Sequence, residues 1–349
     1  MDNIPSRFPA CLVPSRFPAC LVTFPPGYER RRAAFYLAAE EHLAAAYPAD
    51  NYLFSWILGP TVVMGRNQVA AQEINLDFCH REGIDIIRRK SGGGCIFADG
   101  RNIMFSLVTT EGAVEPIFAD YAKHVAKGLN ALGIPASVSG RNDIVLADGS
   151  KVCGNAFYHL AHRNIVHGTM LYDTDYRLMA GALNPDVKKL KSAGVKSVRS
   201  RTGLIKNVQP IGVGRLRHGL EELLCNRRVT LTTNDIAEIE RLEAAYYDPQ
   251  YLYGKTEGDV GVTCSDRIEG CGRLELHFVL EGESVKHIEL SGDFFDLGDA
   301  AQRFNEAFVG LPLRRTALEE AVTRCHPETA IRGLSTEELL GLIGRHILS

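Results

Sequence analysis

A glycine-rich stretch preceded by basic residues is the strongest chemical signal in this 349-residue sequence. Residues 88–94 read RRKSGGG and follow a predicted strand at Asp85–Arg89. Consecutive glycines let backbone N–H groups approach an anion closely, and arginines supply charged donors for phosphate or carboxylate. The stretch matches neither a Walker loop nor a dinucleotide-binding fingerprint. Taken alone, it indicates either an anion-binding loop or a plain tight hairpin.

Two further polar segments follow along the chain. Residues 140–143 read GRND, and residues 151–156 read KVCGNA, which places Lys151 at the start of a predicted strand. A lysine beside glycine, asparagine and aspartate suits an anionic substrate, although an exposed lysine on an edge strand is the commoner case. His167 begins another apolar strand, where a lone histidine is more often a structural hydrogen-bonding residue than a catalyst.

Positive charge is concentrated in residues 187–228. This segment holds eleven lysines and arginines against two glutamates, whereas the whole chain has 39 basic and 42 acidic residues. The segment could be a solvated surface, a docking surface for an anionic partner or a loop that closes over phosphates. The overall charge of −3 gives no general reason to expect nucleic acid as a partner. No stretch approaches the roughly 20 apolar residues of a membrane-spanning helix.

Together and in this order, these segments resemble the lipoate–protein ligase A family. The resemblance rests on RRKSGGG, GRNDI, KVCGNA and HGTMLYDTD, on LNPDVKKLKSAGVKSVRSR at residues 183–201, and on GRLELHF and SGDFF near the C-terminus. It extends from about Ala19 into the C-terminal region. Residues 183–201 are its most specific part.

The resemblance implies an α+β fold. It predicts a mixed-sheet catalytic domain, similar to those of biotin ligases and class II aminoacyl-tRNA synthetases, followed by a small α+β accessory domain. We place the catalytic domain at residues 19–245 and the accessory domain at 246–349, divided by the aromatic connector at Tyr246–Gly254. Residues 1–18 contain the first copy of the identical repeat PSRFPACLV and are predicted to form a loose tail.

Local patterns predict several elements near the glycine-rich stretch. We expect one helix near Ala71–Glu82, and a hairpin that joins strands at Cys95–Ala98 and Ile103–Thr109. Hairpins interrupted by helices are typical of α+β folds and not of regular βαβ winding.

Family members activate lipoate with ATP and magnesium to lipoyl-AMP and transfer the lipoyl group to a lysine of an apo lipoyl domain. The resemblance therefore implies ATP, Mg²⁺ and lipoate as ligands. As acceptors it implies the glycine cleavage H protein and the E2 subunits of 2-oxoacid dehydrogenases. We expect neither nucleic acid nor membrane as a partner, a monomeric state, and a cytoplasmic protein with reduced cysteines.

The resemblance also assigns roles to single residues. Lys151 is the predicted catalytic lysine, and Asp143 is the predicted metal ligand. Lipoate is expected to contact Arg89, Lys151 and His167. The predicted ATP- and adenylate-binding residues are Arg89, Ser91, Gly92, Gly93, Gly94, Cys95, Ile96, Phe97, Asn102 and Lys151. Because lipoate and ATP are both anionic, Lys151 is suited to bridge the carboxylate and the α-phosphate and to stabilise the charge that develops there.

The sequence departs from the family pattern at two places. Residues 98–102 read ADGRN where the family usually has His-Asp-x-Gly-Asn, and Tyr36 replaces the asparagine of an Asn-Leu-Ala segment. One alternative is therefore a non-catalytic binder of lipoyl domains. Another is a cysteine-dependent octanoyl or lipoyl transferase, since Cys153 on the strand of Lys151 would share its face and a lysine can lower a thiol pKa. Residues 183–201 and the C-terminal region favour the ligase.

Overall fold

The computed structural model describes residues 19–347, apart from residues 29, 111, 113, 141–142, 161, 185–201 and 255–260. The strands are β1 (Ala19–Thr23), β2 (Tyr52–Trp56), β3 (Thr61–Met64), β4 (Asp85–Arg88), β5 (Ile96–Ala98), β6 (Asn102–Thr109), β7 (Ala136–Ser139), β8 (Asp143–Leu146), β9 (Lys151–Leu160), β10 (Arg163–Leu171), β11 (Cys225–Thr230), β12 (Gly261–Ile268), β13 (Gly272–Glu281) and β14 (Ser284–Gly292). The helices are α1 (Ala33–Ala46), α2 (Ala70–Glu73), α3 (Leu76–Glu82), α4 (Val114–Ala131), α5 (Tyr176–Ala182), α6 (Val213–Leu224), α7 (Thr233–Glu243), α8 (Pro249–Tyr253), α9 (Ala300–Phe308), α10 (Arg315–Cys325) and α11 (Thr336–His346).

Three sheets organise these elements. The largest has eight strands in the order β11–β1–β2–β6–β10–β9–β8–β7. Strands β11, β1 and β2 run parallel, and the remaining pairs are antiparallel. A small mixed sheet has the order β4–β3–β5, and the C-terminal sheet has the order β12–β13–β14. The α+β fold class predicted from the sequence is therefore confirmed.

Helix α1 is buried on nearly all sides. Its alanine-rich sequence, AAFYLAAEEHLAAA, lets neighbouring elements approach closely, and twelve of its residues are buried. The hydrophobic core that α1 shares with β2 and β3 is called the first hydrophobic core below. Two of the buried α1 residues, Glu40 and Glu41, are charged, and unpartnered carboxylates in such a place would be strongly destabilising. Hydrogen-bonding partners for both glutamates are therefore a structural requirement of this fold.

Two local predictions near the glycine-rich stretch are wrong. The helix expected near Ala71–Glu82 is interrupted, because Ile74 forms a bridge with Leu183 and the side chain of Asn75 caps α3. The expected hairpin does not form either. Strand β5 pairs with β3 in the small sheet, whereas β6 pairs with β2 and β10 in the large one. The turn between β5 and β6 thus connects two sheets.

The predicted connector, Tyr246–Gly254, packs against the unit that precedes it, which contains the large sheet and α1. Tyr246 and Leu252 belong to its hydrophobic core, and the Tyr246 hydroxyl donates to Glu41 Oε1 at 2.5 Å. A separate core unites the C-terminal sheet with α9, α10 and α11. The connector therefore packs with the unit that precedes it, and the division of the chain at residue 245 stays a prediction. The tail at residues 1–18 lies outside the described residues.

Among the described residues, no helix has the length and apolarity needed to span a lipid bilayer.

Candidate active site

A cavity of about 560 Å³ lies where the large sheet, the glycine-rich stretch and the C-terminal unit meet. Its polar and charged lining residues include Arg89, Asp143, Lys151, Asn155, His167, Thr169, Arg267, Glu269 and Asp293. Its apolar lining residues include Leu37, Trp56, Val63, Met104 and Phe295. A cavity that combines an apolar wall with a few charged groups is the usual form of a small-molecule site.

Lys151 and Asp143 form an ion pair in this cavity. The distance between Lys151 Nζ and Asp143 Oδ1 is 2.7 Å, and both side chains are about one-third exposed. The two residues begin adjacent antiparallel strands, β9 and β8, which are joined through residues 147–150. The turn thus brings together a cation and a carboxylate that the sequence analysis had selected separately, and the carboxylate holds the ammonium group in the cavity.

Gly154 provides the space for the Lys151 side chain. A Cβ atom at position 154 would lie 2.8 Å from both Cε and Nζ of Lys151. Such a contact is too close to persist, but the far end of a lysine side chain can move away without disturbing the fold. The absence of a side chain at this position therefore determines where the ammonium group lies.

We predict that Gly154→Ala displaces Lys151 and lowers kcat for adenylate formation by on the order of 10²-fold, because misplacement of a catalytic group by about 1 Å has that effect. The midpoint of thermal unfolding should stay close to that of the wild type. The matched control is Gly214→Ala in α6, where an added Cβ meets no atom within 4 Å. Wild-type kcat in Gly154→Ala would contradict the assigned position of Lys151.

Arg89 binds the backbone around it. Its buried guanidinium donates to Ser91 Oγ and to the carbonyl oxygens of Val63, Gly92 and Gly94 at 2.7–3.0 Å. Burial lowers the pKa of Arg89 to about 10, so the side chain stays charged at neutral pH. These four hydrogen bonds shape the glycine-rich stretch, and direct binding of phosphate or lipoate by Arg89 stays a prediction.

Neighbouring Arg88 is likewise buried and donates to backbone carbonyl groups, those of Gly65, Gln68 and Leu252 among them. Anion binding by the two arginines stays a prediction. The structure shows that both side chains also anchor the glycine-rich stretch through backbone carbonyl groups.

The glycine-rich stretch itself packs against the C-terminal unit. The Gly93 N–H donates to the carbonyl oxygen of Phe294 at 3.0 Å, and a Cβ atom at Gly92 would lie 2.4 Å from that same oxygen. Ser91 is fully buried, with its hydroxyl bonded to Arg89 and His167. The predicted residues that do line the cavity here are Gly93, Gly94, Cys95 and Ile96.

Two predicted adenylate-binding residues lie elsewhere. Phe97 is 4% exposed and packs in the first hydrophobic core. Asn102 is buried beside Asp99, with a backbone hydrogen bond of 3.0 Å between them. Neither belongs to the described lining of the cavity. The segment at residues 98–102, where the sequence departs from the family pattern, therefore contributes no residue to the described lining of the cavity.

Cys153 does not share a face with Lys151, contrary to the prediction. A β-bulge in the pairing of β8 with β9 breaks the alternation of side chains between the two faces of the sheet. Cys153 packs into the hydrophobic core between the large sheet and α4, which includes Leu129. Burial raises the pKa of Cys153 to about 12, although the charge of Lys151 acts in the opposite direction. Burial also raises the pKa of Cys95 strongly. Neither thiol has the properties of a catalytic nucleophile.

We expect Cys153→Ser and Cys95→Ser to keep adenylate formation and acyl transfer within about threefold of the wild type, because neither thiol is ionised at neutral pH. At position 153 a serine hydroxyl can donate to Asn155 Oδ1 as the thiol does at 3.4 Å. The second measurement is the rate of acyl transfer from an acyl thioester donor. Loss of transfer in Cys153→Ser, without any requirement for ATP, would support the cysteine-dependent alternative.

Several lining residues were missed by sequence reasoning. Leu37 and Trp56 lie in elements whose apolar patterns indicated only a core. Arg267 and Asp293 come from the C-terminal unit and form an ion pair of 3.1 Å at the cavity. The segment SGDFF, which contributed to the family resemblance, contains Asp293 and could have indicated this part of the site. Residues 185–201, most of the specific segment, lie outside the described residues, as does part of the basic segment.

Two family models match the chain. The lipoyl protein ligase A/B catalytic domain matches residues 32–219, and the bacterial lipoate protein ligase C-terminus matches residues 260–343. Among curated relatives, the lipoate-protein ligase LplJ of Bacillus subtilis is 29% identical over 319 residues, which is 88% of this chain and 95% of that protein. A probable lipoate-protein ligase A of Mycoplasma genitalium is 30% identical over 323 residues, with the same coverage of 88% and 95%.

Solved structures support the fold. A Plasmodium falciparum LipL1 in complex with lipoate has a TM-score of 0.72 at 20% identity and covers 93% of this chain and 97% of its own. A bipartite lipoate protein ligase from Thermoplasma acidophilum, described with its E2 lipoyl domain, has a TM-score of 0.60 at 24% identity and coverages of 70% and 99%. A lipoate-protein ligase A bound with ATP has a TM-score of 0.58 at 22% identity and coverages of 69% and 100%.

The catalytic-domain model spans more than half of the sequence, and the curated relatives match over nearly their whole length. The matched catalytic-domain region contains the lysine–aspartate pair of the cavity and the glycine-rich stretch beside it. The chain belongs to the lipoate–protein ligase family.

Proposed function

We propose that this protein is an ATP-dependent lipoate–protein ligase, which forms lipoyl-AMP and transfers the lipoyl group to a lysine of an apo lipoyl domain. The observation that carries the proposal is the Lys151–Asp143 pair in a cavity of about 560 Å³. The cavity combines an apolar wall, suited to an acyl chain, with a cation suited to the carboxylate and the phosphates. Family membership adds independent support.

In the first half-reaction, a carboxylate oxygen of lipoate attacks the α-phosphorus of ATP, and the bond from that phosphorus to pyrophosphate breaks. Negative charge increases on the oxygens around the phosphorus. The Lys151 ammonium, held by Asp143 above Gly154, is placed to stabilise that charge in a partly desolvated site. The half-buried backbone at Gly94 and Cys95 lines the cavity and provides close approach for phosphate oxygens.

In the second half-reaction, the neutral amine of the acceptor lysine attacks the acyl carbonyl, and the bond from that carbon to AMP breaks. The mixed anhydride is already activated, so no protein nucleophile is needed. This agrees with the buried state of Cys153. Positioning of the two reactants would supply much of the rate acceleration.

Asp143 fits the role of a Mg²⁺ ligand. Its Oδ1 forms the 2.7 Å ion pair with Lys151 Nζ, and the partly exposed carboxylate carries a second oxygen of the kind that suits a hard cation. The described residues contain no group of three or more histidine, cysteine or acidic side chains around a possible metal position. A single carboxylate is consistent with Mg²⁺, which is commonly held by one or two carboxylates together with substrate phosphates and water. When bound, the ion would neutralise charge on the phosphates.

We further propose that the acceptors are apo lipoyl domains, including those of E2 subunits and the glycine cleavage H protein, and that the protein is cytoplasmic. The thermoplasmal neighbour, which is described with an E2 lipoyl domain, supports the first point. The eight described cysteines are all free thiols, as expected in a reducing compartment. The monomeric state and the exclusion of nucleic acid stay predictions.

Lipoate-dependent exchange of radiolabelled pyrophosphate into ATP tests the proposed function. We expect exchange that requires lipoate and Mg²⁺, followed by transfer to a purified apo lipoyl domain detected by mass spectrometry. The matched acceptor control is the same domain with its modified lysine replaced by arginine. Folded protein that binds the lipoyl domain without any exchange would support the non-catalytic binder instead.

A further inference from the structure

A chain of buried polar side chains connects helix α1 with the glycine-rich stretch. Glu40 on α1 lies 2.9 Å from Nδ1 of His167 on β10. The other ring nitrogen of His167, Nε2, lies 2.7 Å from the hydroxyl oxygen of Ser91, which is 2.9 Å from Nε of Arg89. Each of these residues is at most 6% exposed.

The chemistry of the end groups determines the direction of the hydrogen bonds at the two ends of this chain. Arginine has no acceptor, so Arg89 Nε donates to Ser91 Oγ. The Ser91 hydroxyl keeps a hydrogen of its own, which it can donate to His167 Nε2. Glu40 is the acceptor at the other end, so His167 Nδ1 donates to it. With the Ser91 hydroxyl as donor, the ring proton lies on Nδ1 and Nε2 is an acceptor.

The surroundings of Glu40 agree with this direction. Ser106 accepts from Trp56 Nε1 at 3.0 Å and donates to Glu40 Oε1 at 2.6 Å. Tyr158 donates to Glu40 Oε2 at 3.3 Å. Glu40 therefore receives only donors, as expected of a carboxylate, and its negative charge compensates the buried positive charge of Arg89.

We propose that His167 is a positioning residue that acts through Ser91 and Arg89 on the glycine-rich stretch. Both of its ring nitrogens are bound to protein groups, so the ring presents to the cavity no nitrogen for the lipoate carboxylate. Arg89 in turn binds the carbonyl groups of Gly92 and Gly94. The chain thereby sets the backbone that faces ATP, and this inference rests on the proposed function.

Exchange kinetics of His167→Gln, Ser91→Ala and the double variant test this role. We expect each single variant to raise KM for ATP by about tenfold and to leave KM for lipoate within about twofold, since the reacting groups of ATP lose their alignment. The double variant should be no worse than the more affected single variant, because both remove one linked interaction. A raised KM for lipoate with an unchanged KM for ATP, or effects that multiply, would overturn the proposal.

Tyr158→Phe is the matched control, because it removes one hydrogen bond to Glu40 and leaves the link to Ser91 in place. Both KM values should stay within about twofold of the wild type, as expected for one weak neutral donor. An increase in KM for ATP equal to that of His167→Gln would show a general loss of packing and overturn the positioning role.

Nitrogen-15 NMR of histidine-labelled protein gives a readout that does not depend on activity. The His167 signals, assigned by their disappearance in His167→Gln, should show a neutral ring with the proton on Nδ1. A proton on Nε2 would overturn the hydrogen-bond chain. Wild-type protein without exchange would overturn the proposed function and the kinetic part with it, whereas active wild type with unaffected variants would overturn the positioning role alone.

Discussion

Lys151→Ala is expected to lower lipoate-dependent pyrophosphate exchange by on the order of 10³-fold, because removal of a preorganised charge at a developing anion has an effect of that size. The substitution removes the ammonium that Asp143 and Gly154 hold in the cavity. Because the loss falls on the transition state, kcat should fall more than KM for lipoate rises. Transfer from synthetic lipoyl-AMP should fall as well, since the same charge faces the acyl phosphate.

Lys90→Ala is the matched control for this prediction. Lys90 also forms an ion pair, with Glu41 at 2.6 Å, and its side chain is 37% exposed against 38% for Lys151. It lies outside the described lining of the cavity. Exchange in Lys90→Ala should stay within about threefold of the wild type, because Glu41 keeps its hydrogen bond from Tyr246. Equal losses in both variants would contradict a specific role for Lys151.

Arg89→Leu is expected to lower the free energy of unfolding by about 3 kcal/mol, because several buried acceptors lose their donor and each such loss costs about 1–3 kcal/mol. The acceptors are the carbonyl groups of Val63, Gly92 and Gly94, together with Ser91 Oγ. Exchange activity should be lost in the folded fraction, since the glycine-rich stretch no longer has its anchor. Urea denaturation followed by circular dichroism measures the first effect.

Two further variants make the Arg89 prediction specific. Arg89→Lys keeps the charge but not the planar group that reaches several carbonyls at once, so most of the loss should remain. Arg177→Leu removes an exposed arginine paired with Glu82 at 2.9 Å and should change the unfolding free energy by less than about 1 kcal/mol. Wild-type stability in Arg89→Leu would show that the stretch is held by other contacts.

Fold class and family could be read from the sequence because each rests on local or short-range patterns. The α+β class follows from how helices and strands alternate, and the family follows from motifs a few residues long. Strand pairing is different, since it depends on contacts between distant residues. The predicted hairpin shows this, because β5 and β6 are sequence neighbours that join different sheets. Strands β7 and β11, both at the edges of the large sheet, carried too little apolar pattern to be recognised.

The site was predicted unevenly for the same reason. Lys151 and Asp143 lie together because a short turn joins their strands. The family resemblance predicts Arg89 and Ser91 as ligand-binding residues, and the structure adds that their side chains bind carbonyl groups and His167. Burial also determines the state of Cys153, which no spacing rule could reveal.

The sequence by itself determined the family, the α+β class and the short motifs that supply the cation, the carboxylate and the glycine-rich stretch. Only the tertiary structure decided which of these groups face the cavity and which hold the backbone in place. The contact of Gly93 with Phe294 and the hydrogen bonds of His167 to Glu40 and Ser91 join residues far apart in the sequence. Hydrogen bonds and burial act through space, so the role of a polar side chain depends on its neighbours in the fold.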